Sequence, residues 1–78
     1  MKRVVTYDVK NGNNYDDFYA LVEDCGATML TESTYLFDTN WNQNTFESKM
    51  IAAFNKGDNV HYISVDKENK LFTKKLKL

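Results

Sequence analysis

Apolar and polar positions along the chain change period several times, and each change marks an element. Lys2-Arg3-Val4-Val5-Thr6-Tyr7-Asp8-Val9 is rich in β-branched and aromatic residues and, Thr6 apart, is apolar on both alternating faces. That pattern predicts a strand over Lys2 to Val9 with strands on either side of it. Lys10-Asn11-Gly12-Asn13-Asn14 reads as a loop, because Gly and Asn tolerate positive φ and Asn side chains satisfy local donors. The spacing then becomes helical. Tyr15, Phe18, Tyr19, Val22 and Cys25 share one face, Asn14 is placed as N-cap, Asp16 and Asp17 suit the positive end of the dipole, and Gly26 suits a left-handed cap. A helix over Tyr15 to Cys25 follows.

Ala27 to Thr31 and Ser33 to Asp38 are strand-like runs separated only by Glu32. They read either as one long bent strand with a bulge or as two strands with a tight turn, and the shortness of the gap favours a continuous ribbon bending near Glu32, covered by Tyr35, Leu36 and Phe37. The polar stretch Thr39 to Asn44 contains Trp41, read as a ring folded back over the core. Asn44 followed by Glu47 resembles a capping box, and Phe46, Met50, Ile51 and Phe54 give an apolar stripe for a helix over Thr45 to Asn55, ended by Gly57. Asn59 to Asp66 alternates as a strand, Lys67 to Lys70 is a turn, and Leu71 to Leu78 is a last strand. The lysines of that strand suit an edge, while Leu76 and Leu78 suggest pairing with a second subunit. The order βαββαβ plus a terminal strand predicts a single α+β domain over residues 1–78. Its architecture is a ferredoxin-like βαββαβ sandwich with an additional C-terminal edge strand and the first strand in the middle of the sheet.

Composition narrows this reading. A chain of 78 residues buries only about 60% of its unfolded surface, so a core shared with a second copy would help it. The single Cys25 excludes an internal disulfide or a cysteine zinc site, and no basic neighbour in sequence activates it, so it reads as an inert core thiol in a reducing, cytoplasmic setting. No apolar run approaches the roughly 20 residues of a membrane span, which predicts no membrane partner. The net charge of −1 hides an asymmetry. Asn11 to Ser48 holds no Lys or Arg but carries Asp16, Asp17, Glu23, Asp24, Glu32, Asp38 and Glu47; the tail carries Lys67, Lys70, Lys74, Lys75 and Lys77 against Glu68. Half of the surface should repel phosphate and one edge attract it.

No glycine-rich phosphate loop, hydrolase triad order or paired-cysteine motif occurs. The lone His61 reads as a solvated or partnered sheet residue. Asp8 stands out as a carboxylate where the first strand meets its loop, with one plain role open to it, capping the backbone amides of Asn11 to Asn14.

Val5-Thr6-Tyr7-Asp8-Val9, the run Glu32-Ser33-Thr34-Tyr35-Leu36, and Asp58-Asn59-Val60-His61-Tyr62-Ile63 resemble the CRISPR-associated Cas two superfamily of small ferredoxin-like proteins. The matching motifs are the Tyr7-Asp8 strand end, Ser33 with Tyr35 two positions on, and the Asp-x-Val opening of the fourth strand. Virulence-associated protein D ribonucleases are similar in the same respects, as are SinR-like proteins, the latter also in Gly26-Ala27-Thr28. The resemblance implies a homodimer whose C-terminal strands pair across subunits and bring two copies of Asp8 near the twofold axis. There Asp8 would be both the metal ligand, for Mg²⁺, and the catalytic residue of a metal-dependent endonuclease acting on RNA or DNA in phage defence. Nucleic-acid binding would fall to Lys2, Arg3, Lys10, Lys74, Lys75 and Lys77, because helix one has no cation and helix two only Lys49. The alternative is a non-enzymatic module, such as a toxin-antitoxin component or a phage or mobile-element inhibitor of a host defence system, that binds a protein through its acidic half or its edge strand. A domain that serves only to dimerise something else ranks last.

Overall fold

The computed structural model describes residues 1–10, 12–65 and 67–78. Asn11, part of the loop expected after the first strand, and Asp66, the expected end of the fourth, lie outside the described residues.

The elements are β1 (Lys2–Asp8), α1 (Asp16–Cys25), β2 (Thr28–Thr31), β3 (Thr34–Asp38), α2 (Gln43–Ala53), β4 (Asn59–Val65) and β5 (Leu71–Leu76). The five strands form one antiparallel sheet in the order β2-β3-β1-β4-β5, with β1 in the middle. This is the ferredoxin-like βαββαβ sandwich with an additional C-terminal edge strand. The period-two alternation of each strand sends Val5 and Tyr7, Tyr35 and Phe37, Val60 and Tyr62, and Leu76 to the face covered by the helices, where they are buried. Phe18 of α1, fully buried, is the hub of an aromatic cluster: its ring centroid lies 4.8 Å from Tyr7, 5.3 Å from Tyr35 and 4.8 Å from Phe54. Gly26 closes α1 at φ 68°, the left-handed conformation that only glycine adopts without a steric cost.

Three local expectations are corrected. Thr28–Thr31 and Thr34–Asp38 are two antiparallel strands joined by the tight turn at Glu32-Ser33, and no continuous ribbon runs through them; a register shift between Met29 and Thr31 absorbs the irregularity. The turn is pinned by β1, since the Tyr7 amide donates to Ser33 O at 3.0 Å and the Tyr7 hydroxyl to Glu32 O at 3.1 Å. Helix α2 is capped by Asn42, whose side-chain oxygen accepts from the Thr45 amide at 2.8 Å, so Asn44 with Glu47 forms no capping box. Glu47 instead turns inward to Tyr62 and Lys74. Helix α1 starts at Asp16 without a side-chain N-cap; Asn14 Oδ1 accepts from the Asp16 amide at 3.2 Å. The first strand stops at Asp8 and the last at Leu76, a residue or two short of the sequence expectation.

The other face of the sheet carries no helix. Register places Thr28, Leu36, Val4, Ile63 and Thr73 in one row across all five strands, and Thr34, Thr6, His61 and Lys75 in the next row across four. Among the described residues no helix is long and apolar enough to cross a membrane.

Candidate functional site

Asp8 is the last residue of β1, directly opposite Asn59 of β4, and projects on the open face. Its side chain is exposed and makes no hydrogen bond among the described residues. A hollow of about 180 Å³ beside it is lined by Thr6, Tyr7, Asp8, Asn59 and His61, and Asn59 also borders a second one with Lys75 and Lys77. His61, opposite Thr6 on one side and Lys75 on the other, thus belongs to the surroundings of Asp8. The sequence signal for this was parity: residues two apart on one strand share a face, and the antiparallel register puts His61 beside them.

The role of loop cap, open to Asp8 on sequence, is filled by another carboxylate. Asp58, just before β4 and 5% exposed, accepts from the Lys10 amide at 2.8 Å and the Asn13 side chain at 2.7 Å through Oδ1, and from the Asn55 amide at 2.8 Å through Oδ2. Burial alone would raise the Asp58 carboxyl; donation by Asn13, Asn55 and Lys10 outweighs it and holds the group below its ordinary range. Asp58 therefore ties the loop after β1 to the turn before β4, and Asp8 is left without a structural task in that loop.

The other residues singled out in the sequence divide by role. Tyr7 and Tyr35 are buried on the helix face with ring centroids 6.2 Å apart, so both are core residues. Burial, with the nearby hydroxyls of Tyr19, Tyr35 and Tyr15, pushes the Tyr7 phenol well up. Ser33 is exposed in the hairpin turn and contributes its carbonyl to Tyr7. Two of the expected phosphate-binding cations have partners within the chain on the helix-covered side. Arg3 is 3% exposed, donates to Trp41 O at 3.0 Å and lies over the Phe46 ring at 4.8 Å; its place in the Arg3, Val5, Tyr7 alternation turns it under the helices. Lys74 forms a 2.7 Å ion pair with Glu47. Lys2, Lys10, Lys75 and Lys77 remain exposed. The aliphatic chain of Lys10 packs against Gly57, where an added Cβ would come within 2.7 Å of Lys10 Cδ. Trp41 is half-buried against the core, with the Lys49 ammonium 5.1 Å from its ring centroid. Cys25 is partly buried, its thiol pushed up by burial.

Helix α1 carries Asp16, Asp17, Glu23 and Asp24 with no cation, whereas on the open sheet face Lys2 and Lys75 balance Asp8 and Asp38, Arg3 and Lys74 lying on the helix side. A polyanion is repelled less by the open face than by α1. Among the described residues no group of three His, Cys, Asp or Glu side chains is arranged to hold a metal ion, so one chain offers Asp8 alone. That fits Mg²⁺ only in its habit of binding through one or two carboxylates together with substrate phosphates.

No protein-family model, curated protein or solved structure matches this chain.

Proposed function

We propose that the protein is a homodimeric, Cas two-like phosphodiester-binding protein that cleaves RNA or DNA at a pair of Asp8 carboxylates. The observation that carries this reading is the exposed, unengaged Asp8 on the open sheet face, with loop capping assigned to Asp58. A dimer that closes two open faces on each other and pairs β5 across subunits would cover the apolar row Leu36, Val4 and Ile63 and would bring the two Asp8 side chains toward one axis. Asp8 from each copy would hold Mg²⁺, which when bound polarises the scissile phosphodiester. His61 and Lys75 lie alongside to orient phosphate. The decisive measurement compares wild type and Asp8→Ala in solution mass and in Mg²⁺-dependent cleavage of labelled RNA and DNA. The reading expects a dimer in both and cleavage only in wild type; cleavage that persists in Asp8→Ala removes Asp8 from the reaction.

A second reading draws on the opposite edge. Strand β2 borders the sheet with Met29 and Leu30 exposed, 60% and 51%, beside an unpaired row of backbone groups. That edge suits addition of a strand from a protein partner, as a non-enzymatic inhibitor or toxin-antitoxin component would use. Absence of cleavage under all conditions, with a protein complex lost on Met29→Lys, separates it from the first.

A further inference from the structure

At the other end of β1, on the helix-covered side, a cleft of about 350 Å³ is lined by Met1, Arg3, Asn42, Gln43, Ser64 and Phe72. Its floor is a row that crosses three strands: Arg3, Ser64 and Phe72 stand side by side in register. Arg3 is the anomaly. Its guanidinium is buried, yet its partners are a neutral carbonyl, that of Trp41, and the face of the Phe46 ring; no carboxylate among the described residues lies within ion-pair distance. The nearby Glu47 is committed to Tyr62, Lys74 and Gln43. A guanidinium has five donors arranged to grip a planar or tetrahedral anion, and only Nη1 is taken, by Trp41 O; among the described residues no fully buried side-chain nitrogen lacks a partner, so the other donors reach open space.

The start of α2 borders the same cleft. The first intrahelical bond runs from the Phe46 amide to Asn42 O and the Thr45 amide is taken by the Asn42 side chain, which leaves the amides of Gln43 and Asn44 without an intrahelical acceptor. Helix α1 neutralises its positive end with Asp16 and Asp17, whereas α2 has no acid in its first turn. Ser64 adds a hydroxyl, and Phe72, 41% exposed, offers an open ring.

We propose that this cleft binds the phosphate of a nucleotide, held by Arg3, Ser64 and the first turn of α2, with the base against Phe72. The volume is at the small end of ligand pockets and matches one nucleotide better than a longer chain segment. Such a group comes either as a free mononucleotide or as the terminal phosphate of an oligonucleotide. The cleft lies at the opposite end of β1 from Asp8 and on the opposite face, so it is a separate site and stands whether or not Asp8 is catalytic.

The experiment titrates the full chain with AMP, adenosine, inorganic phosphate and a trinucleotide with and without a 5′-phosphate. Binding is read by the fluorescence of the single Trp41 and by amide NMR shifts at Arg3, Gln43 and Asn44. AMP is expected to bind at least about tenfold more tightly than adenosine, with inorganic phosphate competing. Preference for the 5′-phosphorylated trinucleotide over AMP identifies a nucleic-acid end as the source, and equal or weaker binding identifies the free nucleotide. Ser64→Asp places a carboxylate opposite Arg3, so it should leave the fold intact while removing AMP binding. Phe72→Leu should weaken AMP about tenfold and leave inorganic phosphate unchanged. Arg3→Lys, checked for folding by circular dichroism, should also lose AMP, whereas Asp8→Ala should keep it. Equal affinity for adenosine and AMP, no saturation by AMP or phosphate, or undiminished AMP binding in folded Ser64→Asp each overturns the proposal.

Discussion

The buried carboxylate of Asp58 accepts the backbone N–H of Lys10 at 2.8 Å, joining the exit of the central strand to the entry of its neighbour β4. The same group takes the Asn13 amide and the Asn55 N–H, so three donors depend on it. Asp58→Ala leaves those donors without their acceptor and is expected to cost roughly 2 to 4 kcal/mol, whereas Asp58→Asn keeps part of the geometry and costs less. Urea unfolding of the three proteins tests the order. A midpoint for Asp58→Ala equal to that of wild type would show that the two segments hold together without the clamp.

The sign of the acid response follows from the same group and from Glu47. Burial raises the Glu47 carboxyl, but bonds from Lys74, Tyr62 and Gln43 more than offset it, so both Glu47 and Asp58 titrate below their ordinary range when folded. A carboxyl with a depressed folded pKa contributes stability that is present above its unfolded value, about 4, and is lost as pH falls through the folded one. Stability measured by urea should therefore be flat near neutrality and fall below about pH 4. Glu47→Gln with Asp58→Asn should flatten that fall. A wild-type profile level down to pH 2 is the contrary result.

At high pH the tyrosines give the opposite slope. Burial, then the hydrogen bond and charge of Glu47, push the Tyr62 phenol up to about 12, and Tyr7 shifts in the same direction. A phenol with a raised folded pKa stabilises fully below its unfolded value, about 10, and that contribution disappears as pH rises through the folded one. Unfolding should begin above about pH 10, with tyrosinate absorbance rising together with loss of helix. Tyr62→Phe should shift the onset upward at the cost of reduced stability at neutral pH, because Glu47 loses a partner.

Where local chemistry and burial agree, the fold was legible in the residues. The β-branched run of β1, the Phe18 face of α1 with Gly26 behind it, and the alternation of Val60 and Tyr62 each point one way. Legibility failed where one side chain had two uses. Glu47 stands at capping-box spacing from Asn44, but its carboxylate is worth more against Tyr62 and Lys74, and the cap moved to Asn42. Glu32-Ser33 lacks the glycine or asparagine signature of a hairpin, and the turn forms because Tyr7 of β1 holds both carbonyls. At the candidate site Asp8 could be singled out from its place at a strand end. His61 and Asn59 could not be joined to it without the register of β1 against β4, and Arg3 could not be separated from the surface cations because β1 reads as apolar on both faces, which hides the face that meets the helices.

The open face gives the most direct test of assembly. Val4 and Leu36 are half-buried and Ile63 is 38% exposed, in a row that no helix covers. If two copies close over this row, a charge at its centre must be desolvated on association, whereas in the monomer it stays in water. Ile63→Lys is therefore expected to keep the fold within about 1 kcal/mol, its aliphatic stem covering the same neighbours, while converting the dimer to a monomer. Light scattering across a concentration series checks both states. A wild-type chain that stays monomeric at about 100 μM, or an Ile63→Lys variant that dimerises like wild type, removes the open face from the interface and with it the approach of the two Asp8 side chains.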